Sequence, residues 1–188
     1  MKVSSVKHRE TVYDGYVLPP PDLIVEFANT IDIETGDDQL ATVVAAAAWM
    51  RAHGWGTSSV GDAERRSLVD LRDDLRQCLV GHHDRIDDPE VFGRLAERIT
   101  RADASIRLRS EGTQLVARRR GLDEVLVALG DAIGTALDSG TWHRYRICPA
   151  DDCLEAFLDD SRSGNRRWCS MELCGNRAKV RAFRDRQT

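Results

Sequence analysis

Four cysteines near the C-terminus stand as two pairs of equal spacing, Cys148-x4-Cys153 and Cys169-x4-Cys174, with fifteen residues between the pairs. Disulfides persist in oxidising compartments, and nothing here reads as export. Lys2, Lys7 and Arg9 are not followed by the apolar core of a secretory leader. The longest apolar run, Ala41 to Met50 interrupted by Thr42, falls far short of the ~20 residues a spanning helix needs. The expected setting is the cytoplasm, without membrane contact, where thiols stay reduced and paired cysteines point to a metal. Zinc takes four thiolates at ~2.3 Å in a tetrahedron, and two pairs on tight turns complete that shell without straining the chain. A closed shell leaves no position for water, so the expectation is one structural Zn2+ and no zinc hydrolysis. Iron in an S4 site is the chemical alternative. The fifth cysteine, Cys78, lies in a helical pattern and reads as a small buried apolar side chain.

The residues around the pairs suggest how such a module folds. Leu154 to Leu158 can form a strand, Asp159-Asp160-Ser161 to Gly164-Asn165 a turn, and Arg166-Arg167-Trp168 a returning arm. Ser170 is a suitable N-cap for a helix from about Met171, which places Cys174 in its first turns. Knuckle, hairpin and helix make a treble-clef-like unit. On the terminal helix Leu173, Val180 and Phe183 share a stripe expected to cover the metal site, with Trp168 and Phe183 buried around it.

Charge sets this module apart from the rest. Residues 1–140 hold 17 basic against 24 acidic side chains, residues 141–188 hold 10 against 7, and from Ser161 onward the count is 8 against 2. Arg177, Arg181 and Arg184 recur at helical spacing, Lys179 and Arg186 form a second flank, and Arg162, Arg166 and Arg167 add to them from the preceding loop. Cations held on a rigid platform suit a polyanion, and the expected partner is nucleic acid.

Upstream, 188 residues with 41% hydrophobic and 31% charged side chains can build a real core. Residues 1–21 are polar and end in Pro19-Pro20-Pro21, which suggests a mobile arm with a short strand around Thr11 to Leu18. Leu23, Ile24, Phe27 and Ile31 recur at helical spacing behind Asp22, though a strand is the alternative for so short a segment. Asp37 or Asp38 can cap a helix through Gln39 to about His53, with Leu40, Val43, Val44, Ala47 and Met50 inward. A longer helix runs from Gly61 to about Gly81 on Leu68, Leu71, Leu75 and Leu79, with Arg65, Arg66, Arg72, Asp73 and Arg76 on a solvated face. Asp88-Pro89 opens another, to about Ala102. Alternation over Ala104 to Arg118 predicts a β-hairpin turning at Ser110 to Thr113, and Gly121 precedes a last long helix ending at Ser139-Gly140. The adjacent His82 and His83 point ~100° apart on a helix and do not converge on a metal, so they read as charges at its C-terminal end. The fold class is therefore mainly α with a small β-hairpin (α+β), divided into an arm (1–21), a helical domain (22–140) and a zinc finger (141–188). No phosphate-binding glycine loop, nucleophile elbow or acid/base pair supports catalysis in residues 1–140.

Cys174-Gly175-Asn176-Arg177 spells the motif of the CGNR zinc-finger family. Phe157-Leu158-Asp159, Ser161-Arg162, Asn165 through Met171 and Arg177-Ala178-Lys179 extend the resemblance. Proteins of that family usually carry an upstream ABATE domain, whose N-terminal motif Phe27-Ala28-Asn29-Thr30 resembles. The likeness spans about residues 22–186. It implies four cysteine ligands and a bacterial, stress-related transcription regulator, so that the expected partner is double-stranded DNA; the favoured role for the helical domain is to sense an unknown small-molecule effector or to mediate assembly. Two alternatives from other classes use the same surface: an RNA-binding or ribosome-associated protein, and a zinc-stabilised adaptor for protein partners.

Overall fold

The computed structural model describes residues 12–13, 16–17, 22–57, 60–83, 86, 88–110 and 112–186. In chain order the elements are β1 (Val12–Tyr13), β2 (Tyr16–Val17), α1 (Leu23–Ala28), α2 (Val43–Ala52), α3 (Asp62–Gly81), α4 (Pro89–Thr100), β3 (Ala104–Arg109), β4 (Gly112–Ala117), α5 (Leu122–Asp138), β5 (Tyr145–Ile147), β6 (Ala156–Leu158) and α6 (Asn176–Asp185). The strands form three antiparallel pairs, β1 with β2, β3 with β4 and β5 with β6. The fold is mostly helical, as expected. The β1–β2 ladder falls within the predicted strand, while most of the expected arm lies outside the described residues. Among the described residues no helix is long and apolar enough to cross a membrane.

Leucine at steps of three and four along α3 gives one continuous apolar stripe, and Leu68, Leu71, Leu75 and Leu79 are all fully buried. Helices α1 and α4 pack on α3, and α5 closes the layer against α1 and α4. Asp88 starts α4 as the sequence implies, its carboxylate accepting from the amides of Glu90 (2.9 Å) and Val91 (3.2 Å) ahead of Pro89. At the start of α5, Gly121 takes φ +99°, a conformation that favours glycine. The Glu124 carboxylate accepts from the Gly121 amide (2.8 Å) and from the Gly56 amide (2.6 Å), tying that turn to the end of α2.

Helix α2 departs from the sequence reading. It begins at Val43, capped by the Thr42 hydroxyl, which accepts from the Ala45 amide at 3.1 Å. Asp38 is unavailable as a cap because its carboxylate accepts from the Leu40 amide (2.7 Å) and from the Arg72 guanidinium (2.6 and 3.2 Å). In this helix Val44 faces solvent while Trp49 packs between Phe27 and Trp55. The polar face of α3 is not simply solvated either. Arg72 is 3% exposed, and Asp74 is buried between Arg94 (3.2 Å) and Arg98.

The main core does not stop at residue 140. Trp142, Tyr145, Ile147 and Ala156 belong to it, so the β5–β6 hairpin packs on α3 and α1. Asn29 extends β6 with its side chain: its amide donates to the Ala156 carbonyl (2.9 Å), and its own carbonyl accepts from the Ala156 amide (2.7 Å). Arg76 donates to the carbonyls of Ala28 and Leu154, each at 2.8 Å, and so joins α1 to the hairpin. The partner of β6 is β5, in the register Tyr145↔Leu158, Arg146↔Phe157 and Ile147↔Ala156. The returning arm expected at Arg166-Arg167-Trp168 is therefore not a strand. The segment before Cys148 already satisfies the edge of β6.

The Asp38–Arg72 pair makes a stability prediction. Removing one partner of a buried ion pair leaves the other charge uncompensated, which costs about 3–5 kcal/mol. Asp38→Ala leaves Arg72 with Asp73 (3.4 Å) and the Thr30 hydroxyl (3.4 Å) as polar neighbours. Urea unfolding should place this variant about 3 kcal/mol below the parent protein, with an unchanged m-value.

Candidate metal centre

Cys148, Cys153, Cys169 and Cys174 come together with their sulfur atoms all within 4.8 Å of one another. A zinc–sulfur bond of 2.3 Å in a tetrahedron sets each sulfur–sulfur edge at about 3.8 Å. The Cys153–Cys169 and Cys169–Cys174 edges are 3.6 and 3.7 Å. Cys148, Cys153 and Cys174 are buried, and Cys169 is half-buried. Four thiol donors in a closed cluster fit one structural zinc and offer no open position for catalysis.

Each ligand is placed by its local backbone. The Cys148 amide donates to Glu155 across the hairpin (2.8 Å), while the amides of Cys153 and Leu154 both donate to the Ala150 carbonyl (2.9 and 3.1 Å), closing the first knuckle. Leu154 then takes φ +51°, an uncommon conformation for a branched residue, which redirects the chain from the knuckle into β6. Ser170 caps the following turn as expected, accepting from the Leu173 amide at 3.2 Å. A widened turn, Met171–Gly175, carries Cys174 inward before α6 begins.

The four residues of the Cys174-Gly175-Asn176-Arg177 motif have separate tasks. Cys174 supplies sulfur. A side chain on Gly175 would press on Met171 Sδ (2.8 Å) and Trp168 Cδ1 (3.3 Å), so glycine lets the turn close against the indole. The Asn176 side chain donates to the Glu172 carbonyl at 2.9 Å, and the Arg177 guanidinium donates to Cys174 Sγ at 3.2 Å. Burial pushes the Cys153 thiol up to about 11 and raises that of Cys169 too. Burial also opposes the Cys174 thiolate, but the Arg177 guanidinium and the neighbouring thiols outweigh it and lower that value.

Other cations expected at a nucleic-acid surface divide into two groups. Arg166 donates to the carbonyls of Trp168 (3.0 Å) and Cys169, and its guanidinium lies 5.1 Å over the Phe157 ring, so it anchors the second knuckle. Arg177 pairs with Glu34 (3.2 Å) and Asp152 (3.4 Å) as well as with Cys174. Arg162, Arg167, Lys179, Arg181, Arg184 and Arg186 are exposed; of these, Arg181 pairs with Asp152 at 2.7 Å and Arg167 lies 5.3 Å over the Trp168 ring.

The apolar stripe of the terminal helix behaves contrary to expectation. Leu173, Val180 and Phe183 are 66%, 48% and 55% exposed. At 3.6 residues per turn they lie roughly 100–180° round the helix from Cys174. The helix can turn one face to the sulfurs, and Arg177 occupies that face. Trp168 is half-buried against the cysteine cluster, with Phe157 beneath, so the predicted burial of Phe183 is not observed.

Sequence reasoning missed the polar support of the site. Asp159 is fully buried and accepts from the Ser161 amide (3.0 Å), the Ser161 hydroxyl and the Arg166 amide (2.8 Å), with Arg146 at 3.4 Å. Arg146, itself buried, donates to the carbonyls of Gly164 (2.9 Å) and Arg166 (3.1 Å). The Asp-x-Ser pattern is an Asx-turn signal that would have marked Asp159, whereas Arg146 had no sequence signal. His82 and His83 stand at the C-terminal end of α3 as expected, and each also binds a carbonyl distant along the chain. Buried His82 hydrogen-bonds through Nδ1 to the Tyr145 carbonyl (2.8 Å), and His83 Nε2 to the Arg167 carbonyl (3.1 Å).

Three outcomes follow from this geometry. Cys169→Ser should abolish zinc binding and release protection of residues 168–186 in hydrogen exchange, while β5–β6 stays docked through the main core; Arg177→Ala should retain zinc at an affinity lowered about 10–100-fold, as for other residues that orient a metal ligand. Asp159 gives a pH dependence. Burial would raise its pKa, but the Ser161, Arg166 and Arg146 contacts prevail and hold it below the usual value of 3.8. Its contribution is thus complete above that value and lost as pH falls through the lowered one. Acid titrations of the parent and Asp159→Asn proteins should differ in stability at neutral pH and converge as pH falls below the lowered folded-state value.

The comparison with known families follows the same two parts of the chain. The CGNR zinc-finger profile matches residues 144–187. The ABATE profile, whose description reads "Putative stress-induced transcription regulator", matches residues 22–140. No curated protein matches the chain. The order of the two matches, the four converging cysteines and the helical core that supports them lead to one assignment: this chain belongs to the ABATE family and carries a CGNR zinc finger at its C-terminal end.

Proposed function

We propose that the protein is a DNA-binding transcription regulator in which the zinc finger contacts duplex DNA and the helical domain senses an effector or mediates assembly. The observation that carries this reading is the division of the basic residues. Arg166 and Arg177 hold the zinc site from within, and Arg162, Arg167, Lys179, Arg181, Arg184 and Arg186 are exposed around it. A frame fixed by metal presents cations without the entropy cost of ordering them at binding, which suits phosphate contact. In this reading Arg166, Arg177 and, through its pair with Asp152, Arg181 reach phosphate only secondarily, because protein partners already engage them. The match to a family described as transcription regulators supports DNA over other polyanions.

The exposed Leu173, Val180 and Phe183 favour one second reading, an adaptor that docks a protein on α6. Salt separates the two. About five engaged cations give a slope near −4.5 in log affinity against log salt, so DNA affinity should fall by between two and three decades from 50 to 200 mM. Lys179→Ala combined with Arg186→Ala should reduce the slope by about two units and leave zinc stoichiometry unchanged. Gel-shift titrations with genomic fragments and competition by structured RNA make the measurement. No binding at about 50 mM salt by zinc-loaded protein would reject the DNA reading in favour of the adaptor, and preferential displacement by RNA would reassign the surface to RNA.

A further inference from the structure

The C-terminal end of α3 borders a cleft of about 320 Å3 walled by Cys78, His82, Ile86, Phe92, Leu137 and Trp142. That volume lies within the range of small-molecule sites. We propose that this cleft is a binding site for a small, uncharged, ring-containing apolar molecule, and that its occupancy is read by the zinc finger through His82 and Trp142. The proposal gives the sensing part of the proposed function a location and a ligand class. It rests on that reading only for its biological meaning, since binding in the cleft is independent of any contact with DNA.

The chemistry of the walls selects the ligand. Trp142 stands edge-on to Phe92 (centroids 6.1 Å apart, 68°) and to His82 (4.9 Å, 82°), an aromatic corner that favours a flat ring. The polar groups that border the cleft have partners already. Asp88 caps α4, Gln77 Oε1 accepts from Arg94 at 2.8 Å, and His82 Nδ1 is bonded to the Tyr145 carbonyl. Burial pushes the Cys78 thiol up to about 11, so near neutral pH it lines the wall as an uncharged group. Among the described lining residues the one carboxylate is Asp88, already engaged in capping α4, so a charged ligand would be desolvated with little compensation, whereas an apolar one gains from covering Ile86 and Leu137, which are 62% and 45% exposed at the rim.

The same residues lead to the finger. His82 joins the cleft to the backbone of β5 three residues before Cys148, and Trp142 packs on Tyr145 at 6.2 Å. The next residue, His83, holds the Arg167 carbonyl, next to the second knuckle. One helix end therefore touches the cleft on one side and both arms of the zinc finger on the other. A ligand that shifts or stiffens this end acts on both arms together.

The test uses the full-length zinc-loaded protein and three probes of one ring size, toluene, benzoate and benzylamine, followed by side-chain and amide NMR. Toluene should shift the Phe92, Leu137 and Trp142 signals saturably, with half-saturation below about 1 mM, and should move the Tyr145 and Ile147 amides in parallel. Benzoate and benzylamine should bind at least tenfold more weakly. Cys78→Phe should fill the cleft and abolish the shifts; because that variant risks misfolding, Leu137→Glu at the exposed rim is the second, expected to weaken toluene at least tenfold while the remaining spectrum is unchanged. Absence of saturable shifts in the folded parent protein, or indifference of the shifts to Leu137→Glu, would overturn the site. Tighter binding of either charged probe would overturn the ligand class, and shifts that never reach β5 would overturn the coupling. None of these results depends on nucleic acid, so failure here is distinguishable from failure of the DNA reading.

Discussion

The second core of the protein consists of Cys148, Ala150, Cys153, Phe157 and Cys174, with Trp168 and Cys169 against it. So little apolar surface cannot hold a segment of some forty residues; units of about that size usually need metal or disulfides to fold. Closing four thiolates around one zinc supplies the missing free energy, and it does so directionally, because a tetrahedron fixes where each knuckle and the start of α6 must sit. Everything outward of the sulfurs inherits its position from that closure. The exposed cations around α6 have a fixed arrangement for this reason, although none is a ligand.

Zinc is not the only attachment. The hairpin that bears the first knuckle is also part of the main core, through Tyr145, Ile147 and Ala156. Asn29 and Arg76 bind it to α1 and α3 by hydrogen bonds to its backbone. A side chain that completes a strand edge satisfies donors and acceptors that would otherwise be buried without partners. The junction between the helical part and the finger is thus a packed, hydrogen-bonded interface, and a change at the end of α3 has a rigid route to the sulfurs. It is the route on which the proposed ligand cleft beside His82 would act.

Buried charge has a second structural use here. Asp159 and Arg146 neutralise one another within a ring of backbone donors and acceptors from residues 143–166. The loop after β6, residues 159–166, has no regular secondary structure and many backbone groups to satisfy, and a buried carboxylate facing a guanidinium can engage several at once. Arg72 with Asp38 does the same for the loop between α1 and α2. Both pairs are costly to desolvate, and breaking either leaves the remaining charge uncompensated.

Local chemistry made much of this molecule legible in the sequence. The spacing of the cysteines announced a four-thiolate site, the leucine period of α3 its buried face, Asp88-Pro89 and Ser170 two helix starts, and alternation the β3–β4 hairpin. These features depend on neighbours a few residues away, where geometry follows from spacing. Tertiary structure alone decided the rest. Whether Asp38 capped a helix or paired with Arg72, whether β6 met residues 166–168 or β5, and whether Phe183 faced the metal or solvent each turned on a partner distant along the chain. A hydrophobic stripe or a basic flank specifies that a face exists; which face turns inward is settled by competition for the buried positions, and around the zinc site Trp168 and Phe157 occupy them while Arg177 takes the side of α6 that meets sulfur.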